Sequence, residues 1–327
     1  MEKFLVSLDR DPRIRLACSF FSPPERSSPR DTLIVFLNGI DSSKSQWSPA
    51  IDSLLKPRRR PYSTPFLAYD RPGQGNTLSR NEDVTARLQG HGRDCLEAAH
   101  DLRELIKKVG KSRLGIDRDN IDSLGIVLVA ASIGVAIARL YAAEYPETVT
   151  GCLFLNSVLA SSNIVSVFPD PDAPDFRPED LTNGITPQDL EIGRKRLGRV
   201  YHLDAPNTEG LWRGNLGILL PFSDAPPLLG PGPRTPYITV VQHDPVVNTR
   251  QMNKLLGIPK RVLDVYGEPA YTEYCEGLTR LTHPQIRKEL VFAKGSGHRV
   301  YKDDPRLVAS ELRGILDNLS RDEGSRI

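Results

Sequence analysis

Four apolar runs, Leu33–Leu37, Pro65–Tyr69, Leu124–Ala130 and Gly151–Leu155, carry almost no polar side chain in either alternating set of positions. A strand of that composition must be covered on both faces. Helix-sized segments lie between the runs. The clearest spans about 94–109, where Leu96, Ala99, Leu102, Ile106 and Val109 recur at spacings of three and four with charges between them. Buried strands alternating with amphipathic helices imply an α/β chain with a mostly parallel sheet flanked by helices on both faces.

The segments 4–8 and 14–21 read as a leading strand pair joined at Asp11-Pro12. From 157 to 236 the alternation stops and prolines accumulate, with one helix expected over 187–202 and another over Leu211–Leu220. It then resumes: strand Tyr237–Gln242, helix near 249–256, strand Glu289–Ala293 and a last helix from Pro305 to about Leu319. An insertion between two strands of one sheet explains this pattern. Residues 1–156 and 237–327 are expected to form the core, and 157–236 a lid or cap.

Hydrophobic residues at 39% and charged residues at 26% exclude a disordered chain. Lys+Arg 43 against Asp+Glu 41 leaves a net charge of +2, without the basic footprint of a nucleic-acid binder. The dense Arg58-Arg59-Arg60 triplet reads as a solvated loop. No apolar stretch reaches the roughly 20 residues of a membrane-spanning helix. Met1–Asp9 lacks the apolar run of a secretory signal. Cys18, Cys95, Cys152 and Cys275 lie far apart, as buried thiols in a reducing compartment would.

The chemistry concentrates around Ser132. The run Leu124–Ala130 passes through Ala131-Ser132-Ile133-Gly134 into the expected helix Val135–Glu144. A serine on a tight strand-to-helix turn needs tiny residues two positions away on each side, here Ala130 and Gly134. An ordinary buried strand–helix turn would look similar. A serine hydroxyl also needs a base. Of His91, His100, His202, His243, His283 and His298, the last follows a strand within Lys294-Gly-Ser-Gly-His298, above the sheet edge where α/β sites lie. Asp244, just past strand 237–242, is the expected orienting acid, with Glu268 and Glu276 as alternates; Asn156 cannot serve as an acid. Backbone N–H groups of Ile133 and of Ile40, in the loop Asn38-Gly39-Ile40-Asp41, are the expected oxyanion donors.

These segments together resemble an α/β-hydrolase-fold serine hydrolase over nearly the whole chain. The resemblance rests on Leu37-Asn38-Gly39, Tyr69-Asp70-Arg71-Pro72-Gly73-Gln74-Gly75, the turn at Ser132, and Gly297-His298 ahead of Asp304-Pro305. Asn38 and Ala130 depart from the family pattern, which has His and Gly at those positions. The order Ser132, Asp244, His298 is the one expected for this fold. The chain further resembles fungal peroxisomal hydrolases of secondary-metabolite and toxin biosynthesis clusters.

The resemblance implies hydrolysis of an ester, lactone or acyl thioester of a small hydrophobic, acyl or polyketide-like molecule, through an acyl-enzyme. Alternatives are carbon–carbon bond cleavage or formation, cyclisation, and a non-catalytic ligand-binding scaffold. Epoxide hydrolase chemistry is disfavoured because it places Asp where Ser132 stands. Trp212 and Phe222 are expected to contact the substrate. No metal or cofactor is expected, since the His and Cys residues lack ligand spacing. The terminal Ser325-Arg326-Ile327 is similar to the Ser-Lys-Leu address, implying a peroxisomal import receptor as partner, with the cytoplasm as the alternative location.

Overall fold

A computed structural model describes residues 1–23, 32–56, 63–77, 93–203, 205–232 and 234–324. The Arg58–Arg60 triplet, His91 and the Ser325-Arg326-Ile327 tripeptide lie outside the described residues. Eight strands form one sheet: β1 (Glu2–Ser7), β2 (Arg15–Phe21), β3 (Thr32–Leu37), β4 (Phe66–Tyr69), β5 (Gly125–Ala131), β6 (Val149–Leu155), β7 (Tyr237–His243) and β8 (Val291–Ala293). Their order is β1-β2-β4-β3-β5-β6-β7-β8. β1 and β2 pair antiparallel, as do β2 and β4, and every later pairing is parallel.

The larger helices are α1 (Ser48–Leu55), α2 (Cys95–Val109), α3 (Ile133–Glu144), α4 (Pro187–Tyr201), α5 (Pro245–Leu256), α6 (Glu268–Thr279) and α7 (Pro305–Gly324). Strand periodicity assigns their layers. In β3, Leu33, Val35 and Leu37 join the core under α2 and α3, while Ile34 and Phe36 join the core under α1 and α7. Both residue sets are fully buried, which is why the run shows no polar alternation. α2 starts at a capping box: Asp94 accepts from the Glu97 amide at 2.8 Å, and Glu97 accepts from the Asp94 amide.

The connection from β6 to β7 spans residues 156–236. Only Leu216–Leu219 of the expected helix 211–220 is helical. Gly214 and Gly217 weaken a helix there, and Pro221 disfavours helical geometry at Leu220. A third apolar cluster joins this connection, through Phe168, Ile185, Leu190 and Leu197, to Ile258, Val262 and Leu263 beyond β7. Among the described residues, no helix is long and apolar enough to cross a membrane.

Candidate active site

Ser132 follows β5 and stands at the N-cap position of α3 with φ 55° and ψ −125°, its side chain making no cap hydrogen bond. A non-glycine residue in that conformation costs on the order of 1–3 kcal/mol, so the surrounding structure must hold it there. The Ser132 amide donates to the Leu155 carbonyl (3.0 Å), and its carbonyl accepts from the Val135 amide (2.9 Å). Gly134 explains its small size directly: a Cβ there would lie 2.6 Å from the Leu37 oxygen. Gly39 is less crowded but still close, since its Cβ would meet Ser132 Cβ at 3.2 Å. The turn is thus pressed against the loop after β3.

That loop is fixed from below by buried polar groups. Asn38 donates to the Tyr69 carbonyl (2.9 Å) and accepts from the Trp47 indole (2.7 Å). Arg71 donates to the carbonyls of Asn38 (2.8 Å) and Gly39 (3.1 Å), and Gln74 donates to the Gly39 carbonyl (2.8 Å). Glu209, from the β6–β7 connection, pairs with Arg71 and accepts from the Asp41 amide (2.8 Å). With the carbonyls so engaged, the Ile40 N–H is left without a protein acceptor among the described residues, as is that of Ile133. Ile133 also opens α3, whose N-terminal dipole favours negative charge.

Ser132, Ile133, Ile40 and His298 border one cavity of about 350 Å³. Ser132 and His298 line this cavity without a hydrogen bond between them. His298 is exposed at the cavity, and the atoms packed around its ring, with the nearby His243 and Arg299, lower its pKa from the ordinary histidine value.

The structure does not bring Asp244 to His298. The Asp244 carboxylate caps α5, accepting from the amides of Val246 (2.9 Å) and Val247 (3.4 Å), and it also accepts from the Gly295 amide (3.0 Å). The Gly295 bond, helped by the two cap bonds, holds its carboxyl below the usual carboxylate range. The group facing His298 Nδ1 is Asn156 Nδ2, at 3.1 Å. Asn156 follows β6 with φ 49°, a conformation asparagine tolerates. Its Oδ1 accepts from the His243 amide (2.9 Å) and lies 2.8 Å from His243 Nδ1. His243 Nε2 meets Glu268 Oε2 at 2.8 Å, and Asn248 donates to Glu268 Oε1 at 2.7 Å. Tyr271 stacks on the His243 ring, 4.9 Å between centroids.

A buried chain of polar groups, Glu268–His243–Asn156, therefore reaches His298 where one carboxylate was expected. Glu268, named as an alternate acid, touches His243 and not His298; Glu276 is exposed on α6. The sequence carried a signal for both departures. Asp-Pro at 244–245 is a helix-cap signature, with Pro suited to the first helical position. Asn156 and His243 sit at the carboxyl ends of neighbouring parallel strands, where side chains converge.

Neither Trp212 nor Phe222 borders the cavity. Phe222 is 59% exposed, and the Trp212 amide donates to the Arg93 carbonyl beside the start of α2. Residues near them, Leu211, Leu216 and Leu220, pack into the core under α2 and α3. The apolar walls come instead from Leu159, Ile164, Phe168, Leu203, Met252 and Leu263. His100 pairs with Glu144, and His283 caps a short turn; both lie outside the site.

The sequence profile of the alpha/beta hydrolase family matches residues 34–311, and the chain belongs to that family. No curated protein matches it. Among solved structures it is similar to a thermophilic esterase from Thermogutta terrifontis (TM-score 0.54, 16% identity, 98% of this chain and 100% of the other). It is also similar to an epoxide hydrolase from Vigna radiata (TM-score 0.53, 13% identity, 97% and 98%). The mouse alpha/beta hydrolase domain-containing protein 10 is comparable (TM-score 0.53, 13% identity, 98% and 100%). Identities this low establish a shared fold.

Proposed function

We propose that this chain is a serine hydrolase acting on an ester, lactone or acyl thioester of a small hydrophobic molecule. Ser132 attacks the carbonyl carbon, His298 takes the hydroxyl proton and returns it to the leaving group, and the Ile40 and Ile133 amides hold the oxyanion. Water then releases the acyl group from Ser132. The observation that carries this reading is the strained Ser132, which opens with two unengaged amides and His298 onto one cavity. The wall residues Leu159, Ile164, Phe168, Leu203 and Leu263 favour a medium-sized apolar acyl or polyketide-like group. Residues 157–236, joined to 258–263 through the third cluster, would act as its lid.

A fluorophosphonate probe should label the wild-type protein at Ser132 and leave Ser132→Ala unlabelled. Attachment at a different serine, or none at saturation, would remove Ser132 from the nucleophile role. A second reading, carbon–carbon bond chemistry or cyclisation, draws on the amide at Asn156, because an amide does not stabilise an imidazolium as a carboxylate does. Product analysis without acyl-enzyme formation would favour it. The peroxisomal address remains a proposal on Ser325-Arg326-Ile327; a fluorescent protein ending in this chain's last ten residues should become punctate, and diffuse signal would leave the cytoplasm.

A further inference from the structure

We propose that Asn156 is the positioning residue of this site, and that it holds resting His298 in the tautomer whose proton sits on Nε2. The inference rests on the hydrolytic reading of Ser132 and His298 and deepens it. The orientation of the Asn156 carboxamide is set by two backbone groups whose roles cannot change. The His243 amide, 2.9 Å away, can only donate, so it must face Oδ1. The His298 carbonyl, 3.0 Å away, can only accept, so it must face Nδ2. Rotating the carboxamide by half a turn would break both bonds and oppose like groups at each.

The consequence passes to the two imidazoles in opposite senses. His243 Nδ1, 2.8 Å from Oδ1, must carry a proton, and its Nε2 lies 2.8 Å from the Glu268 carboxylate. His298 Nδ1, 3.1 Å from the carboxamide nitrogen, must offer its lone pair. The one proton of the neutral ring then occupies Nε2. Among the described residues a protonated Nδ1 would find no acceptor here.

Resting His298 therefore presents a donor to the cavity, and the Ser132 hydroxyl meets no base. Hydrolysis requires the ring first to move its proton from Nε2 to Nδ1. Nε2 can then accept the Ser132 proton as Oγ bonds to the carbonyl carbon, and it yields that proton to the departing alkoxide or thiolate as the carbon–heteroatom bond breaks. An amide in place of a triad carboxylate costs about 10⁴-fold in kcat through the wrong tautomer. Asn156 accordingly acts as a brake on Ser132.

The test is the two-bond ¹H–¹⁵N spectrum of the full-length protein at neutral pH, with His298 assigned from the His298→Gln spectrum. Wild-type His298 should show a protonated Nε2 and an unprotonated Nδ1. In Asn156→Asp the pattern should reverse, and turnover of a chromogenic ester should rise at least about tenfold, because a carboxylate accepts from Nδ1–H. A purely structural role for Asn156 would give lower turnover and an unchanged tautomer, overturning the proposal. Protonated Nδ1 in the wild type would overturn it without any variant, so the test survives misfolding of Asn156→Asp. The expected tautomer with no ester turnover in either protein would sustain the positioning role and remove the hydrolytic reading instead.

Discussion

Arg71 grips Glu209 through two parallel donors, Nε to Oε2 at 3.0 Å and Nη2 to Oε1 at 3.1 Å, with both side chains almost fully buried. One partner follows β4 and the other lies in the β6–β7 connection, so the pair ties that connection to the loop bearing Ile40. Breaking a buried pair from one side leaves an uncompensated charge, at a cost of roughly 3–5 kcal/mol. Glu209→Gln is expected to lose stability in that range by urea unfolding, and to lower kcat/KM more than it raises KM. Unchanged stability would show that water reaches the pair.

Gly134→Ala and Gly39→Ala probe the contact between the Ser132 turn and the neighbouring loop. The added Cβ at 134 would fall 2.6 Å from the Leu37 oxygen, a backbone atom that a strand holds in place. At 39 the distance to Ser132 Cβ is 3.2 Å, which a small shift can relieve. The alanine at 134 should therefore cost on the order of 1–3 kcal/mol and most of the activity, and the one at 39 distinctly less. Equal effects in unfolding and turnover assays would contradict this ranking.

The acid limb of kcat/KM should lie well below the ordinary histidine value. The atoms packed around His298, with His243 and Arg299, lower its pKa in the folded chain from 6.5 toward about 4. Between those values the unfolded state binds the extra proton, so stability rises with pH across that window and falls as pH drops through it. Activity governed by neutral His298 should persist to about pH 4. An apparent pKa of 6.5 in the free enzyme would show that the ring is well solvated. His243, Glu268 and Arg299 border the same cavity, so the same profile measured in Glu268→Gln is the control for the assignment to His298.

Specificity should follow Phe168 and not Trp212. Phe168 is buried in the third cluster and borders the cavity, so Phe168→Ala enlarges the acyl site at a stability cost of about 3–5 kcal/mol. The ratio of kcat/KM values for long and short acyl esters should rise in that variant and stay level in Trp212→Ala. A shift produced by Trp212→Ala alone would mean that the cavity extends toward α2 in solution.

The central strands and the turn at Ser132 were legible because their signals are local. β5 needs both faces apolar, and the Ser132 turn needs Gly134, whatever the rest of the chain does. The meeting of Ser132 and His298 on one cavity follows from parallel strands, whose carboxyl ends all point one way. The insertion was harder to read. Apolar residues at 211–222 announce burial without stating against what, and most of them pack toward α2 and α3 instead of the cavity. Asn156 offers no carboxylate in the sequence, and only the fold shows that an amide backed by His243 and Glu268 reaches His298.

Asp244 shows the same ambiguity from the other side, and one substitution decides it. An aspartate just past a strand can orient a distant histidine or cap the helix that follows, and the residues around it look alike in both cases. Here Oδ1 takes the first amides of α5 and Oδ2 takes Gly295, leaving no contact with His298. Asn keeps the cap through its own oxygen and loses only the Gly295 bond, so Asp244→Asn should cost about 1 kcal/mol. Its kcat should stay within about threefold of wild type. Were Asp244 the orienting acid, the same change would lower kcat by about 10⁴. Parallel measurement of the unfolding midpoint and ester turnover separates the two roles, because the cap acts on stability alone and the triad acid on turnover.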